Sequence, residues 1–113
     1  MRKKVYIAGP MRGIKNYNFD AFFEAEKALE GHYIVTNPAR LDMMEGFVPS
    51  ALPENHNWDE APKSLDFKRI FIRDLIALSK CDAIYMLKGY ENSVGSLTEL
   101  SVALTLRLEI IYQ

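Results

Sequence analysis

Apolar residues in this chain fall into short runs and helical stripes, with turn-forming residues between them. Lys4–Ala8 is an apolar-aromatic run ending in Gly9-Pro10, the pattern of a strand stopped by turn chemistry. From Tyr17 or Asn18 to about Glu30, Phe19, Phe22, Phe23, Ala25 and Leu29 recur on or near one helical face, and Gly31 stands where a C-cap belongs. Tyr33–Thr36 reads as a second strand, stopped by Asn37-Pro38. Residues 37–63 hold four of the five prolines together with Met43, Met44, Phe47 and Trp58. That composition predicts a long irregular connection, of the kind that carries a function or an interface in a compact domain. Beyond it the pattern predicts a helix over Ser64–Ser79, a strand over Asp82–Leu87, a turn over Lys88–Asn92, a helix over Val94–Leu106 and a last strand over Leu108–Tyr112.

Strands alternating with helices imply an α/β domain with a parallel sheet covered on both faces. Ligands of such sheets bind beyond the carboxyl ends of the strands. Two turns fall there: Gly9-Pro10-Met11-Arg12-Gly13, and Lys88 to Gly95.

Two carboxylates interrupt apolar stripes. At ~100° per residue, Phe67, Ile70, Phe71, Leu75 and Leu78 line one face of the second helix, with Asp74 in their midst. In the third helix, Leu97, Leu100 and Leu104 form one stripe and Val102, Ala103 and Leu106 another, with Glu99 inside the second. Ionised carboxylates are rarely buried alone. One account is a structural ion pair, with Arg73 and Arg107 as partners. The other is chemical: two carboxyl groups in different environments can share glycosidic cleavage, one as nucleophile and one as acid or base.

The Gly9–Gly13 turn has a plain structural reading as a connection. It also has a functional one, as an anion cradle of backbone N–H groups with Arg12 beside it. It is neither a P-loop nor a dinucleotide fingerprint. Ser93–Ser96, at a helix start, is a second turn suited to an anion. Tyr6 reads from residue type as core, and Met43, Met44, Phe47 and Trp58 read as packing for the long connection, with base stacking or a subunit contact as the alternative.

The 113 residues suit one domain, 1–113, and 49% hydrophobic content supplies a core. A net charge of −1 argues against a nucleic-acid polymer as partner, though not against a single nucleotide. No apolar run approaches the ~20 residues that span a bilayer, so no membrane partner is expected. MRKKVYIAG reads as a basic entry to a strand and not a signal peptide. Cys81 is the only cysteine, which precludes an intrachain disulfide and fits a reducing cytoplasm. His32 and His56 are read as surface residues, with no metal site and no cofactor expected. A short chain with an exposed Met- and aromatic-rich connection is expected to form a homodimer or higher homo-oligomer.

Three segments, YIAGPMRG, RDLIALSKCDAIYML and SVGSLTELSVAL, together resemble the nucleoside 2-deoxyribosyltransferase-like superfamily. The first is close to a small, often phage-borne subgroup of it, which would place the protein in a host cytoplasm. The resemblance implies a flavodoxin/Rossmann-like three-layer fold with a parallel sheet of about four or five strands. It also implies hydrolysis of the N-glycosidic bond of a (2′-deoxy)nucleoside 5′-monophosphate. The family's nucleophile falls on Glu99, its helical Asp on Asp74 and its strand aromatic on Tyr6. Gly9, Pro10, Met11, Arg12 and Gly13 fall on the substrate turn, and Ser93, Gly95 and Ser96 on the second turn. Ser93 stands where the transferases carry Asp, as in relatives that hydrolyse deoxynucleoside monophosphates. Pro10 departs from the small polar residue of those hydrolases. The alternatives are deoxyribosyl transfer between bases, or a non-catalytic protein that binds or sequesters a nucleotide.

Overall fold

Val5, Tyr6, Ile7 and Ala8 are all buried, which places β1 (Lys3–Ala8) in the middle of the sheet. The computed structural model describes residues 1–113. Around β1 it arranges α1 (Phe19–Leu29), β2 (Tyr33–Thr36), α2 (Pro38–Met44), α3 (Phe67–Ser79), β3 (Ala83–Met86), α4 (Val94–Thr105) and β4 (Glu109–Tyr112). The four strands run parallel in the order β2-β1-β3-β4. Val5 is in register with Val35 on one side and Ala83 on the other. No helix is long and apolar enough to cross a membrane.

The two-residue period of β1 builds two cores. Val5 and Ile7 point to α1, where Phe19, Phe22, Ala25 and Leu29 close over them. Tyr6 and Ala8 point the other way, to Leu78 of α3 and Ala103 of α4. Each large side chain among these stabilises the fold by roughly 1.5–3 kcal/mol through burial alone. The result is the three-layer α/β fold expected, with four strands.

Several boundaries differ from the pattern. Residues 37–63 are not irregular throughout, because α2 occupies their start. Asn37-Pro38 ends β2, but the same pair begins a helix. The Asn37 side chain accepts from the Ala39 N–H at 2.9 Å, and Pro38 sits in the first turn, where its missing N–H costs nothing. The second helix starts at Phe67 and not at Ser64, capped by Asp66, whose carboxylate accepts from the Arg69 N–H at 3.3 Å. Before α1, Asn16, Tyr17 and Asn18 all take left-handed backbone with φ of 55°, 51° and 63°, so the helix begins only at Phe19. Asn tolerates that region; Tyr17 is held there by tertiary bonds. Gly31 does not adopt the left-handed C-cap conformation, and α1 ends on Glu30 in right-handed geometry.

On α4 neither stripe is buried whole: Ser96, Glu99 and Ala103 are buried and Leu100 and Val102 half-buried, whereas Leu97 and Leu104 of the first stripe and Leu106 of the second are exposed. His32 is exposed as expected, but His56 is half-buried, and its Nε2 lies 2.7 Å from the Tyr17 hydroxyl. Phe47 is buried and Trp58 partly so, packed with Tyr17 and His56 in an aromatic cluster. Met43 and Met44 remain exposed.

Candidate active site

The carboxyl ends of β1, β2 and β3 open into a cavity of about 510 Å³. That is within the usual size range of small-ligand sites. Its walls include both candidate turns, the inner faces of α3 and α4, Asp42 of α2, and Ala61, Pro62 and Leu65 from the connection to α3. Tyr6, Gly9, Pro10, Met11, Arg12, Asp74, Ser93, Gly95, Ser96 and Glu99 all line it, while Gly13 does not.

Glu99 lies one turn into α4 and is 6% exposed. Its partner is Tyr6, whose hydroxyl donates to Glu99 Oε2. Arg107, expected as the ion-pair partner, forms no salt bridge and sits in a left-handed turn after α4. Tyr6 is thus a core residue with one polar atom, and that atom meets the carboxylate. Burial pushes the Glu99 carboxyl up to about 8; the Tyr6 hydrogen bond opposes the shift and the charge of Asp74 adds to it. Burial likewise pushes the Tyr6 phenol well above its ordinary value, as do Glu99 and Asp74.

Asp74 has the expected partner. Arg73 donates from Nε and from a terminal nitrogen to Asp74 Oδ1, at 3.1 and 2.7 Å. The same guanidinium reaches Asp42 Oδ1 at 2.6 Å and Glu45 Oε2 at 2.5 Å, so α2 and α3 are tied together across the cavity edge. Burial raises Asp74 to about 6 against the pull of Arg73, with Asp42 and Glu45 adding to the rise. Burial also works against the charge on Arg73, but its bonds to Asp42, Asp74 and Glu45 overcome that and hold it cationic. The two cavity carboxyls therefore stand apart. Glu99 holds its proton to higher pH than Asp74.

The turn after β1 is built differently from a phosphate cradle. Gly9 is required by space, since a Cβ there would meet the Leu87 side chain at 2.7 Å. Gly13 has φ +86°, and its N–H is already given to the Trp58 carbonyl at 2.6 Å. The Pro10 carbonyl accepts from Asn18 at 2.8 Å. The helix that follows starts only at Phe19. What this turn offers an anion is Arg12, exposed, with its guanidinium 5.1 Å from the Phe67 ring centroid.

The turn after β3 meets the helix directly. Ser93 is the N-cap of α4, its hydroxyl accepting from the Ser96 N–H at 3.2 Å. Ser96 is 2% exposed and its Oγ has no partner in the protein, although it lines the cavity. A buried hydroxyl left open costs about 1–3 kcal/mol unless something bonds it. At Gly95 a Cβ would make only an ordinary contact with Phe71.

Sequence reasoning missed Asp42. The only available signal was the helix start at Asn37-Pro38, which places Asp42 five residues later, one turn into α2.

The order of strands and helices around this cavity recurs in a solved structure. The chain superposes on the 2-desoxiribosyltransferase from Leishmania mexicana with a TM-score of 0.62 at 17% identity. The match covers 97% of this chain and 63% of that protein, so this chain is the shorter of the two. No curated protein matches it in sequence. It belongs to the family described as Domain of unknown function (DUF4406), whose profile matches residues 3–112.

Proposed function

We propose that this protein hydrolyses the N-glycosidic bond of a (2′-deoxy)nucleoside 5′-monophosphate. The observation that carries the reading is the buried Tyr6–Glu99 pair on the wall of a mononucleotide-sized cavity, with Asp74 beside it. The fold shared with a 2-deoxyribosyltransferase supports the same bond as the target.

In this mechanism an ionised Glu99 oxygen attacks C1′ of the sugar. The C1′–N bond breaks and its electron pair leaves on the base nitrogen, which takes a proton. Water then attacks C1′ of the glycosyl ester, restoring the Glu99 carboxylate and releasing the sugar phosphate. Tyr6 stabilises the ionised form through its O–H donor, and Asp74 exchanges a proton with the departing base or the incoming water. Arg12, the α4 N-terminus and the open Ser96 hydroxyl receive the 5′-phosphate. Ser93 in place of an acidic residue suits a dianion, which a carboxylate would repel.

Deoxyribosyl transfer is the second reading, favoured by the activity in the name of the Leishmania mexicana protein. Incubation with a panel of nucleosides and 5′-monophosphates, with and without an acceptor base, separates the two by chromatography of the products. Free base from monophosphates alone is the expected result. Exchange with the acceptor base would select transfer, and binding without base release would overturn both.

A further inference from the structure

The catalytic reading uses Glu99, Asp74 and Tyr6 but leaves a third buried carboxylate in the cavity wall without a task. Asp42 is 5% exposed and lines the cavity from α2. Only its Oδ1 is bonded, to Arg73 at 2.6 Å; Oδ2 has no protein partner. Burial raises its carboxyl while the Arg73 hydrogen bond and charge lower it, with Glu45 of the same helix adding to the rise.

Its place in the fold matters. α2 follows β2, and α4 with Ser93–Ser96 follows β3; β1 lies between these strands. Two strand spacings separate the ends, ~10 Å, on the order of a mononucleotide's reach from phosphate to base. Tyr6 of β1 lies between, and the Glu99 carboxylate of α4 meets its hydroxyl there. With the phosphate at the α4 end and C1′ at Glu99, the base extends toward α2. There Phe19, Phe22 and Phe47 supply apolar walls for a flat ring. The free polar atom at that end is Oδ2 of a carboxylate paired with the Arg73 guanidinium, which offers a ligand an acceptor.

Resting on the nucleotide reading above, we propose that Asp42 is the base-selecting residue, accepting a hydrogen bond from the exocyclic amino group of a 6-aminopurine or a 4-aminopyrimidine. The 6-oxo and 4-oxo counterparts set their lone pairs against the carboxylate and are disfavoured. Arg73 fixes the carboxylate so that Oδ2 faces the ligand.

The test is calorimetric titration with the 5′-monophosphates of 2′-deoxycytidine, 2′-deoxyuridine, 2′-deoxyadenosine and 2′-deoxyinosine. The Glu99→Gln background stops turnover. Each amino base should bind at least ~10-fold tighter than its oxo counterpart, the discrimination expected when a site built for a donor meets an acceptor. Asp42→Asn, which offers both a donor and an acceptor, should erase that difference. Equal affinities across the four, or equal weakening of all four in Asp42→Asn, overturns the proposal. If Asp42→Asn does not fold, the ranking in the Asp42 protein decides. Base release is measured separately with native protein. Absence of release overturns the glycosidase reading and leaves the affinity ranking to judge Asp42, whereas no binding of any nucleotide overturns both.

Discussion

Glu99 carries the sharpest expectations at the scale of a residue. As a nucleophile it must be ionised, and its free-state carboxyl sits at about 8. kcat/KM should therefore rise with pH toward about 8 where Asp74 serves only the incoming water, and flatten above about 6 where Asp74 must also protonate the departing base. A rate that falls over that range would make Glu99 the acid instead. Glu99→Gln should lose base release by ~10³-fold or more while the protein still folds. Its stability should change with the opposite logic. Because the folded carboxyl holds its proton more tightly than the unfolded one, the folded state is favoured below the unfolded value of 4.5 and loses that advantage as pH climbs toward 8. Glu99→Gln, unable to ionise, should melt at least ~4 °C higher than native protein at pH 9 and nearly the same at pH 5. Equal melting shifts at both pH values would mean that the buried carboxyl is not strained. Tyr6→Phe removes the hydrogen bond that opposes the rise, so the kinetic limb should move to higher pH, readable in the same profile.

Among the elements, α2 decides the shape of the site. It is seven residues long, too short to persist alone, and its start depends on Asn37. That side chain is buried; it caps α2 and donates to the Phe22 carbonyl at 3.3 Å. Asn37→Ala should cost on the order of 1–2 kcal/mol, seen as a melting temperature lowered by ~5 °C or more. An unchanged melting temperature would show that tertiary packing alone holds α2. The contrast with α4 is instructive. Its polar start was readable, because Ser93 is a normal N-cap. Its buried face was not, because four leucines were spread over two stripes. Leu97, Leu104 and Leu106 turned outward, because the face that meets the sheet centres on Ser96, Glu99 and Ala103, with Leu100 and Val102 at its edges.

Over the whole molecule, the outward face of the α3–α4 pair is unusually apolar. Ile72, Ile76, Val94, Leu97 and Leu104 are all exposed, Leu104 at 59%. The two helices pack side by side, so these residues make a patch beside the cavity rim, where Phe67 is also exposed. We expect this face, rather than the methionines of residues 37–63, to hold a second copy of the chain. Light scattering should give twice the 13.0 kDa chain mass at micromolar concentration, and Ile76→Asp with Leu97→Asp should return it to the single-chain mass. A single-chain mass for native protein would rule this out. The order of strands and helices was legible because hydrophobic period is a local property of the chain, and so were Asp74 and Glu99 as carboxylates out of place on their helices, whereas Tyr6 by residue type read only as core. Asp74's pairing with Arg73 was legible too, the two being neighbours in one helix. The bond from Tyr6 to Glu99 spans 93 positions of sequence, and the link from Arg73 to Asp42 spans 31. No local pattern encodes such pairs; they exist because β1 carries Tyr6 toward α4 and because side chains of α2 and α3 meet at the cavity edge. The same holds for the ionisation of Glu99: its residue type fixes the ordinary value, and only the packing that removes water from it moves that value to about 8.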